Sequence, residues 1–280
     1  MTARRIARRI ARRVALPSLV TASVILAVTL ISGHGAAVTP ADDSSASSTG
    51  ADAPSGHVVM ALGDSVPAGS VCKCRPFPQI YGGLLGQQTG APVTVDNRAV
   101  GGLTTPGLLA QLRKRAVQAA VRRSDVFLVE IGANDFNDHR RQVVRGRCET
   151  GHTDCVADEL TTLHANLTAV LSKIRALRAG QPTTILVLGY WNVFKDGRVG
   201  RQAYGNAGSR ATRALTRRVN AVISSVSAAK SATYVDIYGP FERDGRNLTA
   251  LLAPDGNHPD AAGHRLIART LLAAGLPRTS

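Results

Sequence analysis

Five short runs of apolar, largely β-branched residues recur along the chain, at Val58 to Leu62, Val93 to Val95, Val126 to Ile131, Ile185 to Leu188 and Tyr234 to Ile237. Each has the length of a strand. Between them lie longer segments with helical spacing, at Ile80 to Gln88, Leu108 to Val121, Val156 to Ala179 and Arg210 to Ala229, and a last one follows at Ala261 to Ala273. In the second of these, Leu108, Leu109, Leu112, Ala116, Ala119 and Ala120 keep one face dry, while Arg113, Lys114 and Arg115 point outward. Strands alternating with helices predict βαβ units, a parallel sheet and helices on both of its faces. No internal repeat interrupts this reading.

The start of the chain has a different pattern. Arg4, Arg5, Arg8, Arg9, Arg12 and Arg13 precede any acidic residue, and Leu16 to Ile31 then runs without a charge. A basic segment followed by an apolar one reads as an export signal. Ser32, Gly33, Gly35, Ala36 and Ala37 offer small residues for cleavage near Ala37. An uncleaved membrane anchor is the alternative, although the apolar run is shorter than the ~20 residues a spanning helix needs. Thr39 to Gly56 is rich in Ser, Ala, Asp and Pro and lacks periodicity, which marks a flexible linker. The expected organisation is a leader over residues 1–37, a linker over 38–56 and a folded domain over 57–280, exported to the outside of the cell.

Composition fits one sizeable domain. The 280 residues are 44% hydrophobic with 27 glycines, enough to bury a core and to exclude whole-chain disorder, a collagen-like repeat or a polytopic membrane protein. The formal net charge of +15 invites a nucleic-acid partner. Six of those charges belong to the leader, aromatic residues make up only 4%, and no nucleic-acid-binding motif is present, so that reading is set aside.

Four cysteines in an exported chain favour disulfides over a metal. Cys148 and Cys155 bracket a short polar loop and form the favoured pair, which leaves Cys72 with Cys74; cross-pairing is the alternative. A zinc site of these cysteines with His152 lacks the paired two-residue spacings such sites use, and no metal is expected.

Ligands of such sheets bind beyond the carboxyl ends of the strands. Gly63-Asp64-Ser65 follows the first run, Asn97 to Gly102 the second and Gly132-Ala133-Asn134-Asp135 the third, while Asp255-Gly256-Asn257-His258-Pro259 precedes the last helix. In these four blocks and their order the chain resembles the SGNH hydrolases, the GDSL-type esterases and lipases, of the secreted bacterial kind. Val66 stands where the nominal motif has leucine. The resemblance runs from about Val58 to Ala274. It implies a flavodoxin-like three-layer α/β/α sandwich with a five-stranded parallel sheet in the order 2-1-3-4-5, and ester hydrolysis without a cofactor.

The chemistry expected of these residues follows from their types. A serine hydroxyl needs a base to take its proton, so Ser65 as nucleophile calls for His258. Asp255, three residues before His258, can hold the imidazole in the right tautomer. The resemblance assigns the oxyanion hole to the backbone N–H groups of Ser65 and Gly102 and the side-chain amide of Asn134, and Gly102 also suits a close backbone approach. Asp64 and Asp135 are expected to hold loops. His57, His139, His152, His164 and His264 lack partners at catalytic spacing and read as surface or structural residues. The glycosylation sequons at Asn166 and Asn247 are short enough to arise by chance.

Tyr190, Trp191 and Phe194 are expected to line the acyl or alcohol pocket, with structural packing as the rival reading. The basic clusters at Arg113 to Arg115, Arg122-Arg123 and Arg140-Arg141 with Arg145 and Arg147 read as solvated faces. Placed near the active rim, the last would favour anionic phospholipid or envelope polymers. The function expected is a monomeric, secreted serine esterase or lipase acting on a lipid or an acylated carbohydrate. The alternatives are a carbohydrate O-deacetylase of the same fold and a non-catalytic envelope-binding module.

Overall fold

The structure is a computed structural model that describes residues 56–148, 154–242 and 248–277. The leader, nearly all of the linker, His152 and Asn247 lie outside the described residues. Five parallel strands, β1 (His57–Gly63), β2 (Val93–Asn97), β3 (Val126–Glu130), β4 (Thr184–Leu188) and β5 (Thr233–Val235), form one sheet in the order β2-β1-β3-β4-β5. This is the order expected. Each strand grows from one of the apolar runs, because side chains that alternate between two covered faces must be apolar on both.

The alternation feeds two cores. Met60, Leu62, Phe127, Val129, Ile185 and Val187 face one side, while Val59, Ala61, Val126, Leu128, Leu186 and Leu188 face the other. The helices, numbered along the chain, are α1 (Ser65–Ala68), α2 (Phe77–Thr89), α3 (Thr105–Gln111), α4 (Arg115–Arg123), α5 (Arg140–Val144), α6 (Ala157–Leu177), α7 (Gly197–Ala229), α8 (Tyr238–Glu242) and α9 (Ala261–Ala273). Leu167 and Leu171 of α6 and Val219 and Ile223 of α7 close the first core. Tyr81 and Leu85 of α2 and Ile267 and Leu271 of α9 close the second. Helices on both faces complete the three-layer sandwich. Among the described residues, no helix is long and apolar enough to cross a membrane.

The structure departs from the sequence pattern at several boundaries. The single helix expected over Leu108 to Val121 is two, because the chain turns at Lys114, whose backbone is extended (φ −69°, ψ 129°). The turn lets Leu108 and Leu112 before it and Val117, Ala120 and Val121 after it all reach one core. Helix α7 begins 13 residues before the expected Arg210, with a break at Gly205 (φ 65°). Glycines at 197, 200, 205 and 208 hide that start, since each costs about 1 kcal/mol of helix propensity. β5 stops at Val235, and Ile237 is buried in the turn into α8.

The cysteines pair locally, Cys72 with Cys74 and Cys148 with Cys155, and no free cysteine occurs among the described residues.

Candidate active site

The site is assembled where β1 and β3 end. Gly63 closes β1 with φ +145°, and a Cβ there would stand 1.9 Å from the carbonyl oxygen of Glu130 on the neighbouring strand. Only glycine lets the two backbones approach this closely. Asp64 then donates its N–H to that carbonyl (3.1 Å), and its Oδ1 accepts the Val66 N–H (3.2 Å), which caps α1. Ser65 is therefore delivered to the first position of α1, half-buried, where its own N–H has no partner within the helix.

The loop after β2 is tied to this corner. Asn97 donates its amide to the Pro67 carbonyl (2.7 Å), and the N–H of Val100 reaches the Gly63 carbonyl (3.0 Å). Gly102 lies exposed in this loop with φ +77° and nothing within 4 Å of its Cβ position. Its left-handed backbone favours glycine, and no protein atom crowds the position.

After β3 the chain enters a 3₁₀ segment, Ala133–His139. Asn134 donates one amide hydrogen to the Leu103 carbonyl (3.0 Å), one residue past Gly102, and its carbonyl accepts from Asn137 (3.1 Å). The amide is thus oriented from both ends and keeps a second N–H. Asp135 accepts from the N–H and the hydroxyl of Thr105 (2.5 Å for the latter), so it pins the start of α3 and holds a loop as expected. Thr105 also accepts from Asn166 (3.0 Å), so the first sequon asparagine is committed to an internal bond.

The last block folds on itself. Oδ1 of Asp255 accepts the N–H groups of Asn257 (3.0 Å) and His258 (3.1 Å), while Oδ2 meets His258 Nδ1 at 2.5 Å. Burial pushes the Asp255 carboxyl up, but the bonds from the His258 ring and the two N–H groups outweigh it and leave the group below its ordinary value. An ionised carboxylate only accepts, so Nδ1 must donate, and in the neutral imidazole the lone pair is then on Nε2. The turn is clamped by Ala253 N–H to the His258 carbonyl (2.8 Å) and Asp196 N–H to the Gly256 carbonyl (2.7 Å).

Ser65, Asn134 and Asp255 border one cleft of about 260 Å³, together with Tyr190, Trp191 and Phe194. Asn257, the residue before His258, borders the cleft as well. Neither Gly102 nor His258 itself is part of its wall. The three aromatic residues contribute to its wall but are only 2%, 1% and 3% exposed, and Trp191 stacks on Phe241 with ring centroids 4.7 Å apart. Packing claims most of their surface.

Beneath Ser65 lies a buried acidic pair, Asp64 of the first block and Glu130 of β3, of which no motif announced the second. The Tyr190 hydroxyl donates to Asp64 Oδ2 (2.9 Å) and accepts the Ala133 N–H (3.3 Å), which bridges the first and third blocks. Burial lifts Asp64 to about 6, despite the bonds from Val66 and Tyr190. Glu130 is also buried, neither of its carboxyl oxygens has a hydrogen-bond partner among the described residues, and burial with the nearby Asp64 charge holds it well above its ordinary value. The only sequence signal for Glu130 was an acid inside an otherwise apolar run.

The histidines expected to be structural find partners far along the chain: His57 with Asp125 (2.6 Å) and His139 with Glu159 (2.6 Å). His264 is fully buried, accepts the Phe77 N–H at Nδ1 (3.3 Å), and is lowered to about 4 by burial.

The fold recurs in solved structures. A lipase from a goat rumen metagenome superposes with a TM-score of 0.63 at 20% identity, over 79% of this chain and 99% of the other. A variant of an acetyl xylan esterase from Geobacillus stearothermophilus gives 0.56 at 20% identity, over 81% and 99%. An extracellular lipase from Streptomyces rimosus gives 0.55 at 22% identity, over 78% and 100%. No curated protein matches the sequence. The GDSL-like lipase/acylhydrolase family matches residues 61–266, which contain all four blocks. The chain belongs to the GDSL-like lipase/acylhydrolase family of carboxylic ester hydrolases.

Proposed function

We propose that the chain is a secreted serine esterase in which Ser65 is acylated, His258 moves the proton and Asp255 orients His258. The observation that carries this reading is the 2.5 Å contact of His258 Nδ1 with Asp255, on a turn that borders the same cleft as Ser65. The ester carbonyl is attacked by Ser65 Oγ as His258 Nε2 takes the hydroxyl proton. Negative charge gathers on the carbonyl oxygen, where the N–H groups of Ser65 and Gly102 and the remaining amide hydrogen of Asn134 stabilise it. The imidazolium returns its proton to the departing alkoxide. Water then attacks the acyl carbon as His258 takes its proton, and the imidazolium returns that proton to Ser65 Oγ as the acyl–oxygen bond breaks and the acid leaves. Because Asp64, Asn134 and Asp255 are already tied to backbone groups, the site needs little reorganisation as charge develops.

Export rests on the Arg-rich start and the apolar run of Leu16 to Ile31. Ser65→Ala tests the chemistry. The purified variant is expected to lose hydrolysis of p-nitrophenyl butyrate and labelling by a fluorophosphonate, and full retention of either would sink the proposal. A series of p-nitrophenyl esters from acetyl to palmitoyl separates a lipase from an O-deacetylase by where kcat/KM peaks.

A further inference from the structure

A second, larger cavity of about 620 Å³ adjoins the catalytic cleft, and Asn137, Arg140 and Tyr204 border both. Arg141 and Arg145 complete its basic side, and Asp138 is the single acid on it. Several other arginines are already engaged within the fold. Arg213 is committed to Asp196 (3.1 Å) and Glu242 (3.2 Å), Arg218 to Asp154, and Arg178 to backbone carbonyls. Arg140, Arg141 and Arg145 are exposed and have no ion pair or side-chain hydrogen bond among the described residues. Lys195, on the wall of the catalytic cleft, is likewise unpaired among them.

Three guanidinium groups on one short helix and the residue after it repel one another, and among the described residues no carboxylate ion pair offsets this. A concave surface lined by one sign of charge concentrates its potential and draws anions. Guanidinium forks match the oxygens of a phosphate in particular. We propose that the groove of Arg140, Arg141 and Arg145 is a subsite for a phosphate carried by the ester that occupies the neighbouring cleft. The inference rests on the reading of that cleft as the ester site, and it gives the substrate a chemical class: an acyl ester whose alcohol bears a phosphate.

The test compares two soluble, monomeric substrates with the same acyl group, 1-butyrylglycerol and 1-butyrylglycerol 3-phosphate, so that no lipid surface takes part. The wild-type enzyme is expected to favour the phosphate ester by about tenfold or more in kcat/KM, chiefly through KM. Raising the ionic strength should narrow that ratio. In Arg141→Gln/Arg145→Gln the ratio should fall to near one, with the thermal midpoint unmoved because both side chains are exposed. Inorganic phosphate should compete with the phosphate ester more strongly than with the neutral one. A wild-type ratio near one, or a preference that survives the double substitution, overturns the subsite while leaving hydrolysis of the neutral ester in place. Failure to hydrolyse either ester overturns the esterase reading, and the subsite with it.

Discussion

Asp255 holds His258 through two atoms of that residue at once: Oδ2 meets the ring Nδ1 at 2.5 Å, and Oδ1 accepts the backbone N–H at 3.1 Å. Ring and backbone are therefore oriented by one carboxylate, which leaves Nε2 as the free acceptor. In Asp255→Asn the amide oxygen can still accept the backbone N–H groups, but its NH₂ now faces Nδ1 and moves the ring proton to Nε2. We expect kcat to fall by about 100- to 10,000-fold with a much smaller change in KM. Steady-state kinetics on a short-chain ester, with thermal unfolding to show that the fold persists, checks this.

Tyr190 is the strut between the first and third blocks. Tyr190→Phe deletes the donor to Asp64 and the acceptor of the Ala133 N–H, both largely shielded from water. Leaving such groups unsatisfied costs about 1 to 3 kcal/mol. Urea unfolding should show that loss, and a midpoint equal to the wild type would mean the hydroxyl is not a strut.

Gly63 and Gly90 both have positive φ yet should respond very differently to alanine. At Gly90 (φ +69°) nothing lies within 4 Å of the new Cβ, so Gly90→Ala should cost about 1 to 2 kcal/mol of backbone strain alone. At Gly63 the Cβ would meet the Glu130 carbonyl carbon and oxygen, both backbone atoms. The two central strands would have to separate, a loss beyond about 4 kcal/mol. Comparing soluble yield and thermal midpoint of the two variants distinguishes them.

His264 makes a contribution that depends on pH. Its folded-state value is lowered to about 4 from the ordinary 6.5, so between these pH values the unfolded chain binds more protons than the folded one. Stability from this residue is complete above about 6.5 and is lost as pH falls through about 4, with a span on the order of 3 kcal/mol. Asp64 and Glu130 act in the opposite sense, because their raised values favour the protonated, acid-side fold. His264→Gln keeps an acceptor for the Phe77 N–H. Its midpoint should drop at neutral pH from lost packing, yet decline less than the wild type between pH 6.5 and 4. Parallel pH profiles of the two proteins would refute this.

Much of the architecture was legible because it is written in short-range patterns. The apolar runs became five strands, and Ala261 to Ala273 became α9 to the residue. The 3.6-residue period cannot, however, report a turn such as that at Lys114, made so that two short helices can fill one core. Nor can it see past the glycines at the start of α7. The active-site blocks were legible for a related reason. Asp255 and His258 sit three residues apart, so a local turn suffices to join them.

The sequence by itself determined which residues could do chemistry, since side-chain identity and the spacing of the four blocks are local properties of the chain. It also determined the sheet, since alternating faces of Val, Leu and Ile admit few other burials. Tertiary structure alone decided what those residues touch. Tyr190 reaches Asp64 across 126 positions, His57 reaches Asp125, and Arg140 stands where the catalytic cleft meets a basic groove. Such pairings depend on where the strands place their ends in space. Sequence separation carries no information about that until the sheet has formed.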